Sequence, residues 1–313
     1  MIIAITGATG FIGKRLVNHH LALGDEVRIL TRKRNLKQLP GVAIYIGSLL
    51  DDKIALKEFS NGVDILYHCA AEIKNADLMY QVNVLGTTNL LEAAKGGIKH
   101  WVQLSSTGVY GPVFNGVVDE QRIPKPNNVY ETSKLEADRL VVEAGKKKWF
   151  TYSIVRPSNV FGPDMSNQSL FQLIKAVDNG RYFYIGKAGS NANYVSVENV
   201  VEVLYLAATK KVAIGNIYNI SDHLKLEEFI RAIAKFLNKP EPSLRLPLFI
   251  MKFFGFFGDL IPKSPITSSR VRALTNKVVY SNQFVVQNLG FKSKVSILDA
   301  LNELVEAYKK NKL

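Results

Sequence analysis

Short apolar runs alternate with stretches of helical spacing through the first half of the chain. IIAITG (2–7) is an apolar run closed by a glycine, and KRLVNHHLALG (14–24) follows with helical spacing and a terminal Gly24. EVRILTR (26–32), VAIYIG (42–47), VDILYHCAA (63–71) and HWVQLSS (100–106) read as four further strands. Helical stretches lie between them, clearest in NLLEAAKGG (89–97). Near-continuous apolar strands separated by helices predict a parallel sheet covered on both faces. FTYSIVRPSNVFGP (150–163) adds a sixth strand and a turn, and GNIYNIS (215–221) a seventh that returns to the sheet. Between them FQLIKAVDNG (171–180) reads as a short helix, and NANYVSVENVVEVLYLAAT (191–209) as an extended segment entering a helix. From Asp222 onward the pattern is helical with loops. The expected architecture is α/β, a doubly wound parallel sheet of Rossmann type with a smaller, mainly helical C-terminal substrate domain. Residues 1–163 and 190–221 are assigned to the dinucleotide-binding part, and 164–189 and 222–313 to the substrate-binding part.

PLFIMKFFGFFGDLIP (247–262) breaks that pattern. Its apolar run is interrupted by Lys252 and Asp259 and is too short to span a bilayer. The preferred expectation is an amphipathic helix lining an apolar pocket. A position on a membrane surface is the lesser one.

Composition changes the picture little. A chain of 313 residues with 47% hydrophobic and 21% charged residues can bury a sizeable core. The single cysteine, Cys69, allows no intrachain disulfide, which fits a reducing, cytoplasmic setting. Met1 runs almost directly into a strand, so a secretory signal is not expected. The net charge of +13 reads first as a basic surface and second as attraction to an anionic cofactor, substrate or membrane. The cations are scattered and accompany no nucleic-acid-binding motif, so nucleic acid is not expected as a partner. No metal site is expected.

TGATGFIG (6–13) sits between the first strand and the first helix, the context a dinucleotide fingerprint requires. Gly7 permits the tight turn, Gly10 lets a pyrophosphate approach the backbone, and Gly13 lets the helix pack close to the strand. The helix N-terminus then offers free N–H groups to phosphate. At the end of the second strand an acid would bind the ribose of NAD, whereas Leu30-Thr31-Arg32-Lys33-Arg34 carries no carboxylate. Arg32, supported by Lys33 or Arg34, favours NADP over NAD; a basic solvated loop is the alternative.

Tyr130 and Lys134 are four residues apart and share a helix face. A nearby cation would favour the phenolate and lower the pKa of Tyr130, easing proton transfer to a carbonyl oxygen. Such a pair is often only a surface pair, but Ser105-Ser106-Thr107 ends the fifth strand, where ligands of parallel sheets bind. A hydroxyl there can hold a reacting oxygen or cap a turn.

Together with these segments, HCAAE (68–72), NVLGTTNLLEAA (83–94), SSTGVYG (105–111), YETSK (130–134), RPSNVFGP (156–163) and YVSVENVV (194–201) follow one another in a telling order. In that order the chain resembles the extended short-chain dehydrogenase/reductases, which include NAD-dependent epimerase/dehydratases, dihydroflavonol reductases and 3β-hydroxysteroid dehydrogenases. The resemblance implies Tyr130 as proton donor or acceptor, Lys134 also on the nicotinamide ribose, Ser106 as the catalytic hydroxyl and Asn83 as support of a proton relay. It implies cofactor contacts from Thr9, Phe11 and Ile12 beside the three glycines, and from Leu49, Ala70, Ala71, Pro157 and Ser158. Ser106, Thr107, Asn159 and Arg272 are its candidate substrate contacts. It also implies a homodimer through a four-helix interface.

Departures narrow the chemistry. Thr107-Gly108 stands where the 4,6-dehydratases carry Asp-Glu, so dehydration is not expected. Ser48 replaces the aspartate that usually faces adenine. Ala192 replaces one arginine of the nucleotide-sugar pyrophosphate site, while Arg272 retains the other; Arg272 or Arg270 is equally accountable as a surface charge. The expectation is an NAD(P)-dependent oxidoreductase moving a hydride to or from a carbonyl or secondary alcohol carbon. Its leading small-molecule substrate is a nucleotide-linked 4-keto-hexose. The alternatives are a nucleotide-sugar C4 epimerase with tightly held NAD, a reductase of a steroid- or flavonol-like apolar ketone, and a non-catalytic dinucleotide-binding regulator.

Overall fold

The apolar runs form strands β1 (Ile2–Thr6), β2 (Glu26–Thr31), β3 (Val42–Ile46), β4 (Val63–His68), β5 (Ile98–Leu104), β6 (Thr151–Pro157) and β7 (Ile217–Ile220). They come from a computed structural model that describes residues 1–34, 40–50, 53–165, 168–261, 264 and 266–312. The seven strands make one sheet in the order β7-β6-β5-β4-β1-β2-β3, every neighbouring pair parallel. Strand order reverses between β1 and β4. The crevice outside the carboxyl ends of those two strands is therefore the place such a sheet offers to a ligand.

Both faces of the sheet are covered, which is why its strands are apolar on both sides. On one face Leu16 and Val17 of the helix Gly13–Ala22 join Val200, Val203 and Leu204 of the helix Val197–Thr209 in a core with Ile3, Ile5 and Val102. On the other, Leu56 and Phe59, Leu90 and Leu91, and Val141 and Ala144 bring three helices onto Ala4, Leu66 and the fully buried Trp101. These are Lys53–Ser60, Gly86–Ala94 and Val129–Lys146.

A further apolar cluster gathers the helices Ser169–Asp178, Leu226–Phe236 and Ile297–Lys312 through Ile174, Phe229, Ile233 and Leu301. Beside it lies a small sheet that the hydropathy pattern did not predict. Asn191–Ser196 pairs parallel with Asn159–Phe161 and antiparallel with Asp222–Lys225. The polar string DHLK (222–225) carries no apolar run, so its strand character comes from this pairing alone.

Candidate active site

Gly7 has φ +66°, and a Cβ there would lie 2.7 Å from the Ala70 amide nitrogen. A Cβ on Gly13 would strike the Gly7 carbonyl, which is how the first helix comes to start so close under the turn. That helix begins at Gly13 behind Ile12, with no side-chain cap and no acidic residue in its first turn. Its positive dipole end lies beside the glycine turn, where the Lys14 N–H bonds back to the Gly10 carbonyl at 3.1 Å and no side chain caps the helix.

The second half of the site is the helix Val129–Lys146. Asn128 caps it by accepting from the Glu131 N–H at 2.9 Å, and Glu131 reaches back to the Asn127 N–H at 2.7 Å. This reciprocal capping fixes the first turn. Tyr130 therefore leaves the helix at its start, with Lys134 one turn behind. Ser106 ends the stretch after β5 and serves the capping purpose considered for it. It caps the short 3₁₀ turn Thr107–Tyr110 by accepting from the Gly108 N–H at 3.0 Å, and its hydroxyl is hydrogen-bonded to Tyr130.

These two halves meet in one cleft of about 540 Å³. Its walls include Gly7, Gly10, Phe11, Ile12 and Gly13 from the turn, Ala71 after β4, and Ser106, Tyr130 and Lys134. Pro157, Ser158 and Asn159 close it from the end of β6. Not all candidates line it. Thr9 is exposed on the turn, and Ala70 lies under it with its N–H on Thr6 Oγ1 at 3.2 Å. Leu49 is buried and its carbonyl accepts from Asn89 Nδ2 at 2.9 Å. Thr107 is buried and hydrogen-bonded to Tyr280. Arg272 is exposed on the helix Ser268–Thr275, its Nε directed to the Ser268 carbonyl at 3.4 Å.

Asn83 sits beneath the cleft within a π-helical turn (Gln81–Leu85) and ties three elements together. Its amide accepts from the Glu72 N–H at 2.7 Å, and donates to the Glu72 carbonyl and to Ser133 Oγ, each at 3.0 Å. Arg32 and Lys33 are exposed just beyond β2, with the Lys33 N–H on Thr31 Oγ1 at 3.1 Å. The Glu72 carboxylate is held below its ordinary range chiefly by the N–H groups of Asn75 and Lys74, and in smaller part by Arg32.

A family model described as the NAD dependent epimerase/dehydratase family matches residues 3–221. The chain belongs to this family. Among curated relatives, 3beta-hydroxysteroid-dehydrogenase/decarboxylase isoform 1 of Arabidopsis thaliana is 27% identical over 352 residues, covering 97% of this chain and 79% of the relative. The N-acetyl-alpha-D-glucosaminyl-diphospho-ditrans,octacis-undecaprenol 4-epimerase of Escherichia coli O157:H7 is 28% identical over 276 residues, covering 83% and 80%. The solved structure of MoeE5 in complex with UDP-glucose and NAD is similar in fold, with a TM-score of 0.75 at 22% identity over 100% of both chains. This epimerase/dehydratase-family member is thus an NAD(P)-dependent oxidoreductase of extended short-chain dehydrogenase/reductase type.

The dinucleotide that the family implies fits the residues present. The glycine turn leaves its backbone bare, the helix N-terminus is uncapped, and Ser158 Oγ is buried in the cleft wall without a hydrogen-bond partner among the described residues.

The electrostatics of the site correct one expectation. Lys134 does not pull the Tyr130 phenol down here; burial holds that phenol above its ordinary value, with the Ser106 hydrogen bond opposing. Lys134 is buried and donates to the Leu104 carbonyl. Burial lowers its pKa, and Asp138 one turn further on supports its charge.

Sequence reasoning missed what stands behind Lys134. Asp138 and Arg156 form a buried ion pair, with Arg156 Nε and Nη2 on Asp138 Oδ2 at 3.1 and 3.0 Å, and Ser105 Oγ on the same oxygen at 2.8 Å. Arg156 Nη1 also donates to Tyr110 Oη at 3.1 Å, which donates to Asn219 Oδ1 at 2.9 Å. The available signal was Asp138 at i+4 from Lys134; nothing in the sequence brings Arg156 to it. Cys69 lines the cleft too, but burial pushes its thiol up to about 12, so it remains protonated at neutral pH.

Proposed function

We propose that this family member is a ketoreductase or dehydrogenase in which Tyr130 passes a proton to or from the oxygen of a carbonyl or secondary alcohol, with NADP favoured as cofactor. The single observation that carries the reading is the convergence of Ser106, Tyr130 and Lys134 in one cleft with the Gly7–Gly13 turn. A bound nicotinamide would supply or accept the hydride. The Tyr130 phenol, kept protonated by burial, is loaded as the acid for the reductive direction. Ser106 shares that proton and orients the reacting oxygen. Lys134, held by the Leu104 carbonyl and with its charge supported by Asp138, would bind the nicotinamide ribose. Arg32, exposed and without a carboxylate on its own strand end, supports NADP through a 2′-phosphate contact.

For the substrate, an apolar ketone or secondary alcohol of steroid-like shape is the reading we favour over the nucleotide-linked 4-keto-hexose. Phe161, Met165, Leu170 and Tyr194 line the cleft beyond the candidate catalytic residues. Ala192, at the position of the missing arginine, is buried in the apolar cluster, and Arg272 is outside the cleft wall. The sterol dehydrogenases among the relatives, matched over 97% of this chain, support it. Residues 164–189 and 222–313 would then carry the substrate side, of which Met165, Ser169 and Leu170 are the inner edge. A second reading, C4 epimerisation or reduction of a linked sugar, has the 4-epimerases among the relatives and Asn159 at the cleft in its favour.

The test is cofactor consumption by the purified full chain. A 3-ketosteroid and a UDP-linked 4-keto-6-deoxyhexose are offered in parallel with NADPH and NADH. Oxidation of NADPH with the steroid alone supports the proposal. Turnover only of the sugar, or epimerisation with NAD retained through purification, overturns the substrate reading.

A further inference from the structure

The helix Leu248–Gly258 is turned inside out relative to an ordinary surface helix. Its packed face is made of Met251, Gly255 and Gly258, all buried. Met251 joins Ile185 and Val271 in a small apolar cluster. A Cβ on Gly255 would lie 3.1 Å from the Ser268 N–H nitrogen, and one on Gly258 would strike the Ile266 carbonyl. The two glycines therefore let the helix lie flush on the segment 266–268. Asp259 fastens the end by accepting from the Ser268 N–H at 3.1 Å.

The opposite face consists of phenylalanines. Phe249, Phe253, Phe256 and Phe257, at i, i+4, i+7 and i+8, share one side of the helix, and all are between 46% and 74% exposed. Phe254 beside them, and Leu260 and Ile261 after the helix, are exposed too. A soluble surface rarely leaves so continuous an apolar patch uncovered. The expectation that this stretch lines an apolar pocket holds only for its first turn. Leu248, Phe249 and Lys252 border a hollow of about 800 Å³ that shares no residue with the Tyr130 cleft.

Charge decides what covers the patch. From Arg245 to Lys277 the sequence carries six cations (Arg245, Lys252, Lys263, Arg270, Arg272 and Lys277) against one carboxylate, Asp259, and of these Arg245 is already paired with Glu227 at 2.9 Å. Lys252 is exposed on the helix itself, and Lys187 and Lys277 are exposed along the hollow beside it. A second copy docking face to face would set this basic rim against its own image. An anionic lipid surface complements both the phenylalanines and the rim. At 11 residues the helix is about 16 Å long, and no helix among the described residues is long and apolar enough to cross a membrane. The contact is therefore in the plane of the interface rather than through it.

We propose that the helix Leu248–Gly258 docks this protein on an anionic bilayer surface, inserting its phenylalanine face at the headgroup boundary while Lys187, Lys252 and Lys277 meet the headgroups. The surface is separate from the Tyr130 cleft, so the proposal stands or falls independently of the substrate reading.

The test is co-sedimentation of the full chain with vesicles of phosphatidylcholine alone and with phosphatidylglycerol added. The triple variant Phe253→Ser/Phe256→Ser/Phe257→Ser is run alongside, with NADPH binding measured to show that it is folded. The expected result is binding that requires phosphatidylglycerol, weakens with salt, and falls about a hundredfold in the triple variant with NADPH binding unchanged. Three results would each overturn the proposal. These are no binding of the native chain to anionic vesicles, equal binding by the triple variant, and a native dimer in solution that the triple variant converts to monomer. Should the triple variant fail to fold, Lys252→Glu replaces it. That change leaves the apolar face intact and is expected to weaken anionic-vesicle binding severalfold; unchanged binding overturns the proposal.

Discussion

Asp138→Asn removes the negative charge from between two buried cations. Lys134 is 4% exposed, Asp138 2% and Arg156 3%. One oxygen of Asp138 receives two donors from Arg156 and one from Ser105, and its charge helps keep Lys134 protonated. An asparagine keeps the size but leaves the guanidinium uncompensated. Breaking a buried pair from one side costs about 3–5 kcal/mol, a large part of the roughly 5–15 kcal/mol that holds a typical domain folded. Urea unfolding followed by tryptophan fluorescence reads this well, because Trp101 is fully buried in the sheet core. The same loss lowers the pKa of Lys134 further, so the alkaline limb of the pH–rate profile moves to lower pH. The double variant Asp138→Asn/Arg156→Met removes both charges and, with Arg156→Met alone completing the cycle, is expected to recover part of the stability, giving a coupling of at least about 2 kcal/mol. A cost below about 1 kcal/mol for the single change with an unmoved alkaline limb would show that Asp138 does not hold these two cations. So would a double variant as unstable as the sum of the two singles.

Tyr130→Phe is expected to lower turnover by about 10²–10⁴-fold with NADPH affinity nearly unchanged, read by steady-state kinetics and fluorescence titration. Arg32→Glu should weaken NADPH binding relative to NADH by roughly tenfold or more, one charged hydrogen bond's worth; an unchanged ratio would remove Arg32 as the selector. Gly13→Ala forces a methyl group into the Gly7 carbonyl, so both dinucleotide affinity and the urea midpoint should drop, at about 1–3 kcal/mol of stability. His68 and His100 are buried, and burial lowers their pKa values from 6.5 to about 3 and about 4. Below pH 6.5 the unfolded chain takes up these protons and the folded chain does not, so stability is full above 6.5 and is lost as pH falls toward 4. The loss is about 1.4 kcal/mol per pH unit for each histidine, and a urea midpoint flat between pH 6.5 and 4.5 would contradict it.

Local chemistry was legible in the sequence; contacts between distant segments were not. Gly7, Gly10 and Gly13 announce their turn because a single backbone geometry needs all three. Tyr130 and Lys134 announce theirs because i and i+4 share a helix face. The strands of the large sheet could be read because burial on both faces forces nearly unbroken apolar runs. Arg156 could not be paired with Asp138 beforehand, since each resembles an ordinary surface charge until β6 lies behind the Tyr130 helix. His68 reads as one more residue of a buried strand. It is in fact bonded to Thr6 Oγ1 at 2.7 Å and Thr87 Oγ1 at 2.9 Å, beneath the glycine turn. The phenylalanine helix shows the limit of hydropathy most plainly. Its packing face is the one with the glycines, and apolar spacing alone does not tell which side of such a helix is covered.

In the proposed reaction Tyr130 delivers a proton as hydride arrives in the same cleft. The direct measurement is single-turnover transfer of deuterium from C4-deuterated NADPH to a 3-ketosteroid, with the native chain and Tyr130→Phe in the same experiment. Deuterium is expected on the alcohol carbon of the native product, with transfer slowed by about 10²–10⁴-fold in the variant while the cofactor stays bound. Transfer at the native rate in Tyr130→Phe would contradict that role of Tyr130.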